Sequence, residues 1–404
     1  MRYHLILVIA TTWLLSAGCD SKNTDNVHTV ERDRITIWYL SRVPEFETFI
    51  RPALTQFEQE YNLLISIRPC TLLELKDLAR KDSSSLSQNT IPDIVILPSQ
   101  YVPFAAEQGY IIPTDTLFTD DLPAVSQQCV YKDVSYGAPF ACNTKLLFVN
   151  KNLVELRPDS SGILCIDSII DVCQNWSDTT AHAWGAHGPE YSYVFATIAS
   201  WLCSLDGQIM TRNGVSVLDS DKNYEAMGTY VELARIGLME TQRQLERMFL
   251  DGKLAMLYAN ASLIEPLGSA GLDYTYAMVG PSDISVRPPS AVVYSISACL
   301  TSACRSKVAA QRCVRGLRKL LTGPSVIGFP TTTKYWKSPA FRHANRDSLL
   351  QASIFSGTAM PASSHWPEIE RRVEQAFISI LLDGSDVEES LSDAQEDIIE
   401  IVRR

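Results

Sequence analysis

Beyond its first fifteen residues the chain has no uninterrupted apolar run approaching the ~20 residues a membrane-spanning helix needs. It also lacks a GxSxG elbow, an HExxH pair, a Gly-rich phosphate loop and any CxxC pair. The signatures of exported serine hydrolases, zinc peptidases, nucleotide-binding proteins and thiol oxidoreductases are therefore missing. Histidine is sparse, with six in the chain. His182 and His187 are five apart, a poor fit to one helix face for joint metal ligation, and read as loop or surface residues. Basic charge is in deficit too: 35 Lys and Arg against 46 Asp and Glu give a formal charge of −11. A nucleic-acid site needs a basic stripe that displaces counterions, and none is present. Arg305 to Lys319 is spaced as one exposed helix face. The pairs Asp120-Asp121 and Glu388-Glu389 read as solvated charge in turns or on helix faces. No cofactor, metal site, nucleic-acid partner or enzymatic activity is expected.

Cysteine is not scarce. There are ten, and if Cys19 is consumed as an anchor an odd number remains at irregular spacing. Most, such as Cys203 and Cys299, sit in apolar runs where a thiol behaves as a small hydrophobe. Buried thiols are the expectation, with Cys299/Cys304 and Cys165/Cys173 left open as disulfide candidates.

Residues 1–18 carry Arg2, the apolar run Leu5 to Leu15, and the small residues Ser16, Ala17 and Gly18, which is the layout of an export signal. Cys19 directly follows, so Leu15-Ser16-Ala17-Gly18-Cys19 is similar to a bacterial lipobox, with Leu15 one place further back than usual. That points to a lipid-anchored protein on the outer face of a membrane. The alternative is an ordinary secreted protein with an incidental cysteine. Asp20 to Arg34 is almost devoid of apolar residues and reads as a flexible tether.

The body that follows is too long for one hydrophobic core, so two lobes are expected, and a hydrophobic content of 46% suffices for both. Ile35 to Leu40 has strand composition, and Phe46, Phe49, Ile50, Leu54, Phe57 and Tyr61 recur at helical spacing. Leu63 to Ile67 supplies a second strand, Leu72 to Arg80 a second helix, and Ile94 to Leu97 a third strand after the low-complexity loop Ser83 to Thr90. This alternation predicts an α/β fold with a parallel or mixed sheet between helices. Loops leaving the carboxyl ends of such strands line the ligand crevice, which nominates Ser41 and Arg42, then Ser99, Gln100 and Tyr101. Tyr136 to Phe140 with Leu146 to Asn150 reads as one extended strand leaving the first lobe, with a hinge near Ala141 to Lys145. Val172 to Trp176 and Tyr191 to Leu205 read as helices. Phe249 to Met256 reads as helix end, turn and strand. Two closing helices, Ile369 to Leu382 and Val387 to Val402, flank Asp383-Gly384-Ser385, where Gly384 stops one and Ser385 caps the next.

These strings, in this order, resemble the extracellular solute-binding proteins of family 1, which include the maltose-binding protein and serve ABC importers. Ile91-Pro92-Asp93-Ile94-Val95 and Ala106 to Pro113 resemble the family's "PD(I/V)" strand and "A..G.L.PL" element. Tyr136-Gly137-Ala138-Pro139 with Leu147 to Lys151 is similar to its "YGLP…LYYNK" crossing. Phe249 to Met256 is similar to "F..GKAAM", and Met360-Pro361 through Trp366, Asp383-Gly384 and Val387 to Leu391 to the C-terminal "P…W…G…EEAL". The resemblance implies a two-lobed type II periplasmic-binding-protein fold with discontinuous lobes joined by hinge strands, about 34–142 plus 290–335 and about 143–289 plus 336–404. It further implies a monomer that closes around a solute and delivers it to the membrane permease.

Aromatic faces that stack on sugar C–H surfaces, beside polar side chains that grip hydroxyls, are the expected signal for a sugar or oligosaccharide. The ligand-binding candidates are Trp38, Tyr39, Arg42, Gln100, Tyr101, Trp184, Tyr191, Tyr258, Asn260, Tyr294 and Trp366, the last two by analogy with the family; Trp38 has the core as its alternative. Sugar-binding relatives often carry a stacking Trp after the Ala255-Met256 strand, and here that stretch is Tyr258-Ala259-Asn260-Ala261-Ser262. A non-sugar solute such as a polyamine or an anion, or a surface adhesin or sensor, remains as an alternative.

Overall fold

The computed structural model describes residues 32–40, 46–77, 91–114, 120–188, 194–211, 214–283, 290–337, 341 and 346–404. The expected export signal, Cys19, most of the tether, Arg42, Tyr191 and the loop Ser83 to Thr90 lie outside the described residues. Residues 33–404 form one compact unit. No helix among the described residues is long and apolar enough to cross a membrane.

Two mixed sheets organise that unit. In the first, β1 (Asp33–Tyr39) lies between β2 (Leu63–Pro69) and β3 (Ile94–Pro98), all parallel. The second sheet contains β5 (Lys145–Asn150), β6 (Ile163–Cys165), β7 (His182–His187), β8 (Leu238–Glu240), β9 (Leu254–Asn260) and β10 (Tyr274–Gly280), in the order β8-β7-β9-β5-β10-β6. The chain then returns to the first sheet. There β11 (Val292–Leu300) runs antiparallel to β3 and to β4 (Ala138–Asn143), and pairs with the short β12 (Thr358–Ala359). The expected single strand from Tyr136 to Asn150 is in fact two: β4 and β5 belong to different sheets, and Thr144 alone joins them. Both are buried along their whole length, which is why the sequence there is apolar without alternation.

Strand alternation sorts the side chains into layers. Ile35, Ile37, Ile94 and Ile96 point to a core with α1 (Phe46–Tyr61) and the later helix α5 (Lys307–Arg318), while Trp38, Val95 and Leu97 face the opposite layer. In the second sheet Leu147 and Val149 pack with α2 (Val194–Ser204) and α3 (Asp221–Ile236), while Leu146 and Phe148 face α4 (Gln242–Leu250). Helices thus cover both faces of each sheet, the three-layer α/β arrangement the alternation implied.

Several boundaries moved. The helix expected at Val172 to Trp176 begins earlier, at Ile166–Gln174, and Trp176 instead donates its indole N–H to the Ala181 carbonyl at 2.9 Å. The helix from Leu72 is present to Asp77, and the rest of its expected span, to Arg80, lies outside the described residues. The closing helices are α6 (Trp366–Ile378), prolonged by a π turn over Ser379–Asp383, and α7 (Val387–Arg403). Gly384 does take the left-handed conformation (φ 69°). The cap, however, is Asp386, whose carboxylate accepts from Glu389 N at 3.0 Å, and not Ser385.

The nine described cysteines are free and most are buried, as expected, and neither pairing left open is a disulfide. Two further readings are corrected by burial. Asp121 is buried against Arg318 of α5 and Thr332, so it is no solvated turn residue. His187 is 2% exposed on β7, inside the molecule.

Candidate ligand cleft

The crossing at Asn143-Thr144-Lys145 is polar inside an apolar run, and its hydrogen bonds explain why. Asn143 accepts from Thr144 N (3.0 Å) and Ser262 N (3.3 Å) and donates to Ser262 Oγ (2.9 Å). Thr144 donates its hydroxyl to the Val292 carbonyl (2.9 Å) and accepts from Ala261 N (2.8 Å). One residue earlier, Cys142 exchanges backbone bonds with Phe329 at 2.8 and 2.9 Å. Strands of both sheets and the chain near 328 are thereby tied at one point.

Above this knot lies a cavity of about 130 Å³. Strand ends supply much of its wall: Leu40 after β1, Pro98 ending β3 with Gln100 just beyond, His187 ending β7, and Asn260 ending β9. This is the crevice at the carboxyl ends of strands where α/β sheets bind ligands. Asn143, Lys145, Tyr294 and Ser295 form the floor, Gln242 of α4 and Glu370 of α6 the sides. The register sets the floor, because Tyr294 pairs with Asn143 in the first sheet and Asn260 with Lys145 in the second.

The polar groups divide into those already engaged and those turned to the cavity. The Tyr294 hydroxyl donates to Asn260 Oδ1, and the Tyr101 hydroxyl to Glu370. Ser295 donates to Ser99 Oγ at 2.7 Å, and Ser99 shares a 2.6 Å bond with Ser297. Gln100, 7% exposed, has a buried Oε1 with no hydrogen-bond partner among the described residues. A buried amide oxygen left so is costly unless a ligand answers it. Burial pulls the Lys145 ammonium down to about 8, against a smaller opposing effect of the Glu246 carboxylate. Burial, aided by the Lys145 charge, pushes the His187 imidazole down to about 3, and its Nδ1 lies 2.9 Å from the Thr197 hydroxyl.

Of the residues expected to bind solute, Gln100, Asn260 and Tyr294 line the cavity. Tyr101 stands one layer back, holding Glu370. Tyr39 lies at the end of β1, where burial and its bond to Glu47 (2.7 Å) push its phenol up to about 12. Trp38, Trp184, Tyr258 and Trp366 do not line the cleft. Trp38 is in the core beneath the Arg68 guanidinium (4.0 Å to the ring). Trp184 and Tyr258 pack edge-on against Trp201, and Trp366 edge-on against Phe195. A large ring at the end of a strand is as useful to two packed layers as to a ligand, and sequence spacing does not separate the two. Tyr294 is the sole aromatic lining the cavity among the described residues.

Asn143, Lys145, His187, Gln242 and Glu370 were missed. Two of them had a signal: Asn143 and Lys145 are polar in a fully buried strand pair. Glu370 had another, since it sits four residues after Trp366 on the apolar face of α6. Among the described residues no group of three His, Cys, Asp or Glu is placed to hold a metal. A larger cavity of about 510 Å³ lies beyond Met360, against the start of β11 and the loop after α2. It has no charged residue in its lining and only β12 contributes a carboxyl strand end, so the smaller cavity is the better ligand site.

Comparison with known proteins agrees with the geometry. The chain is 22% identical over 258 residues to the maltotriose-binding protein of Pyrococcus abyssi, covering 61% of this chain and 54%, about half, of that relative's length. An ABC transporter solute-binding protein from Thermotoga lettingae, solved with α-D-tagatose, superposes with a TM-score of 0.76 at 20% identity over 92% of this chain and 100% of its own. The GacH receptor of Streptomyces glaucescens, solved unliganded and with acarbose, gives 0.77 at 16% identity over 92% and 99%. These structures share the two-lobed type II periplasmic-binding fold. The family model described as bacterial extracellular solute-binding protein matches residues 53–314, and the chain belongs to that family.

Proposed function

We propose that this protein is the solute receptor of an ABC importer and captures a sugar or oligosaccharide between its two lobes, about 34–142 plus 290–335 and 143–289 plus 336–404. The observation that carries the reading is the convergence of strand ends from both sheets on one small polar cleft, directly above the knot at Asn143-Thr144. A solute held there touches both lobes, so its contacts favour the closed form. Gln100, Asn143, Gln242, Asn260 and Glu370 offer the planar amides and carboxylate that grip hydroxyls, and Tyr294 offers a ring face. The cleft holds solute and performs no chemistry on it. The N-terminal signal, Cys19 and the polar tether support a lipid-anchored receptor on the outer face of a membrane, presented to its permease subunits.

A thermal-shift screen of mono- and oligosaccharides, polyamines and anions tests this, because a ligand bound only by the folded state raises Tm by mass action. A shift with one sugar class, abolished by Asn260→Ala, is the expected result. A shift with polyamines alone overturns the sugar.

A further inference from the structure

We infer that the cleft selects solutes bearing a carboxylate, and that the Lys145 ammonium reads it. The inference rests on the sugar-receptor reading above and narrows it to acidic sugars such as uronic acids.

Lys145 is 6% exposed, begins β5 on the cleft floor beside Asn260, and makes no ion pair among the described residues. The groups around it are otherwise committed. Glu246 on α4 accepts from Gln242 Nε2 at 2.7 Å and does not line the cavity. Glu370 on α6 accepts from Tyr101 through Oε2. His187 on β7 is held neutral, and the Tyr294 hydroxyl on β11 is spent on Asn260. A hydroxyl-only solute is served as well by an amide, which carries no charge to desolvate. A buried ammonium is worth its cost when a carboxylate meets it in the same dry site. Glu370 and the unpartnered Gln100 Oε1 also line the cavity and are acceptors for the hydroxyls of the same solute. The cleft therefore combines acceptors from α6 and the segment after β3 with one cation from β5.

The test is calorimetric titration of the protein at pH 7 with matched pairs: glucose and glucuronate, galactose and galacturonate, maltotriose and trigalacturonate. At least one acidic member is expected to bind tenfold or more tightly than its neutral partner. In Lys145→Met, whose unliganded Tm at or above the parent's is the folding control, that preference is expected to vanish. A second reading uses pH. With the free ammonium titrating near 8, raising pH from 7 to 9 is expected to weaken acidic-sugar binding about tenfold, because the protonated form is the one that binds. The thiol of Cys142 and the phenols of Tyr258 and Tyr294 are pushed up by burial, out of that window. Neutral sugars binding as tightly as acidic ones, or Lys145→Met keeping the preference, overturns the inference and leaves the sugar receptor standing. No sugar of either kind binding overturns both.

Discussion

Asp93 shows what a single side chain decides here. In the sequence it is the acid of a strand-entering Pro-Asp pair, and in the fold its carboxylate is wholly buried. It accepts from Thr36 N (2.9 Å), Arg305 N (3.0 Å) and the Arg305 guanidinium (2.7 Å), tying β1 and β3 to the segment that leads into α5. Arg305, read from sequence as part of an exposed face, is instead the partner of a buried charge. Asp93→Ala is expected to cost on the order of 3 kcal/mol in urea unfolding, the low end for a broken buried pair because Arg305 is 37% exposed. His187 is a second case. Its folded pKa, about 3, lies below the ordinary value of 6.5, so the unfolded state binds the proton more readily. The stability this neutral ring contributes is complete above pH 6.5 and is lost as pH falls towards 3, by at most about 1.4 kcal/mol per unit. Unfolding free energy measured from pH 7 to 4 is expected to fall less steeply in His187→Asn than in the parent; equal slopes would assign the acid sensitivity to other groups.

Elements were legible where one period served one purpose. The short apolar runs of β1 and β3 fit only strands buried between two layers, the helical spacing in α1 follows one apolar face, and all three elements stand in the structure at nearly the expected places. Legibility failed where two demands shared a stretch. From Tyr136 to Asn150 both strands are buried throughout, so composition did not show that Thr144 separates two sheets. The aromatic candidates failed for the same reason, since Trp184 and Trp366 satisfy packing and stacking requirements alike until their neighbours are known. At the last helix two residues competed for one role. Ser385 and Asp386 are both good caps by type, and only geometry chooses the second. Asp386→Ala is expected to lower stability by about 1 kcal/mol in thermal or urea unfolding, with Ser385→Ala near neutral; the reverse ranking would return the cap to Ser385.

At the scale of the whole molecule, a receptor of the kind proposed above needs two rigid bodies turning about a narrow, well-specified joint, which we propose is the knot. The tightest point of the knot is Gly328, at φ 128°, where an added Cβ would lie 2.3 Å from the Cys142 carbonyl oxygen. Only glycine lets the chain near 328 lie close enough to exchange backbone bonds with Cys142. Gly328→Ala is therefore expected to cost at least about 2 kcal/mol of stability, as strain or as a lost crossing bond. Its effect on binding separates a joint from a mere scaffold. A solute that touches both lobes has an apparent affinity reduced by the fraction of molecules able to close, so a distorted joint weakens binding even with every cleft residue intact. Small-angle scattering gives the direct readout. The radius of gyration of the parent is expected to fall on adding the solute found by thermal shift, and Gly328→Ala is expected to show a smaller contraction at saturating solute. Contraction equal to the parent's, with binding weakened only in proportion to lost stability, would place the pivot elsewhere along the chain.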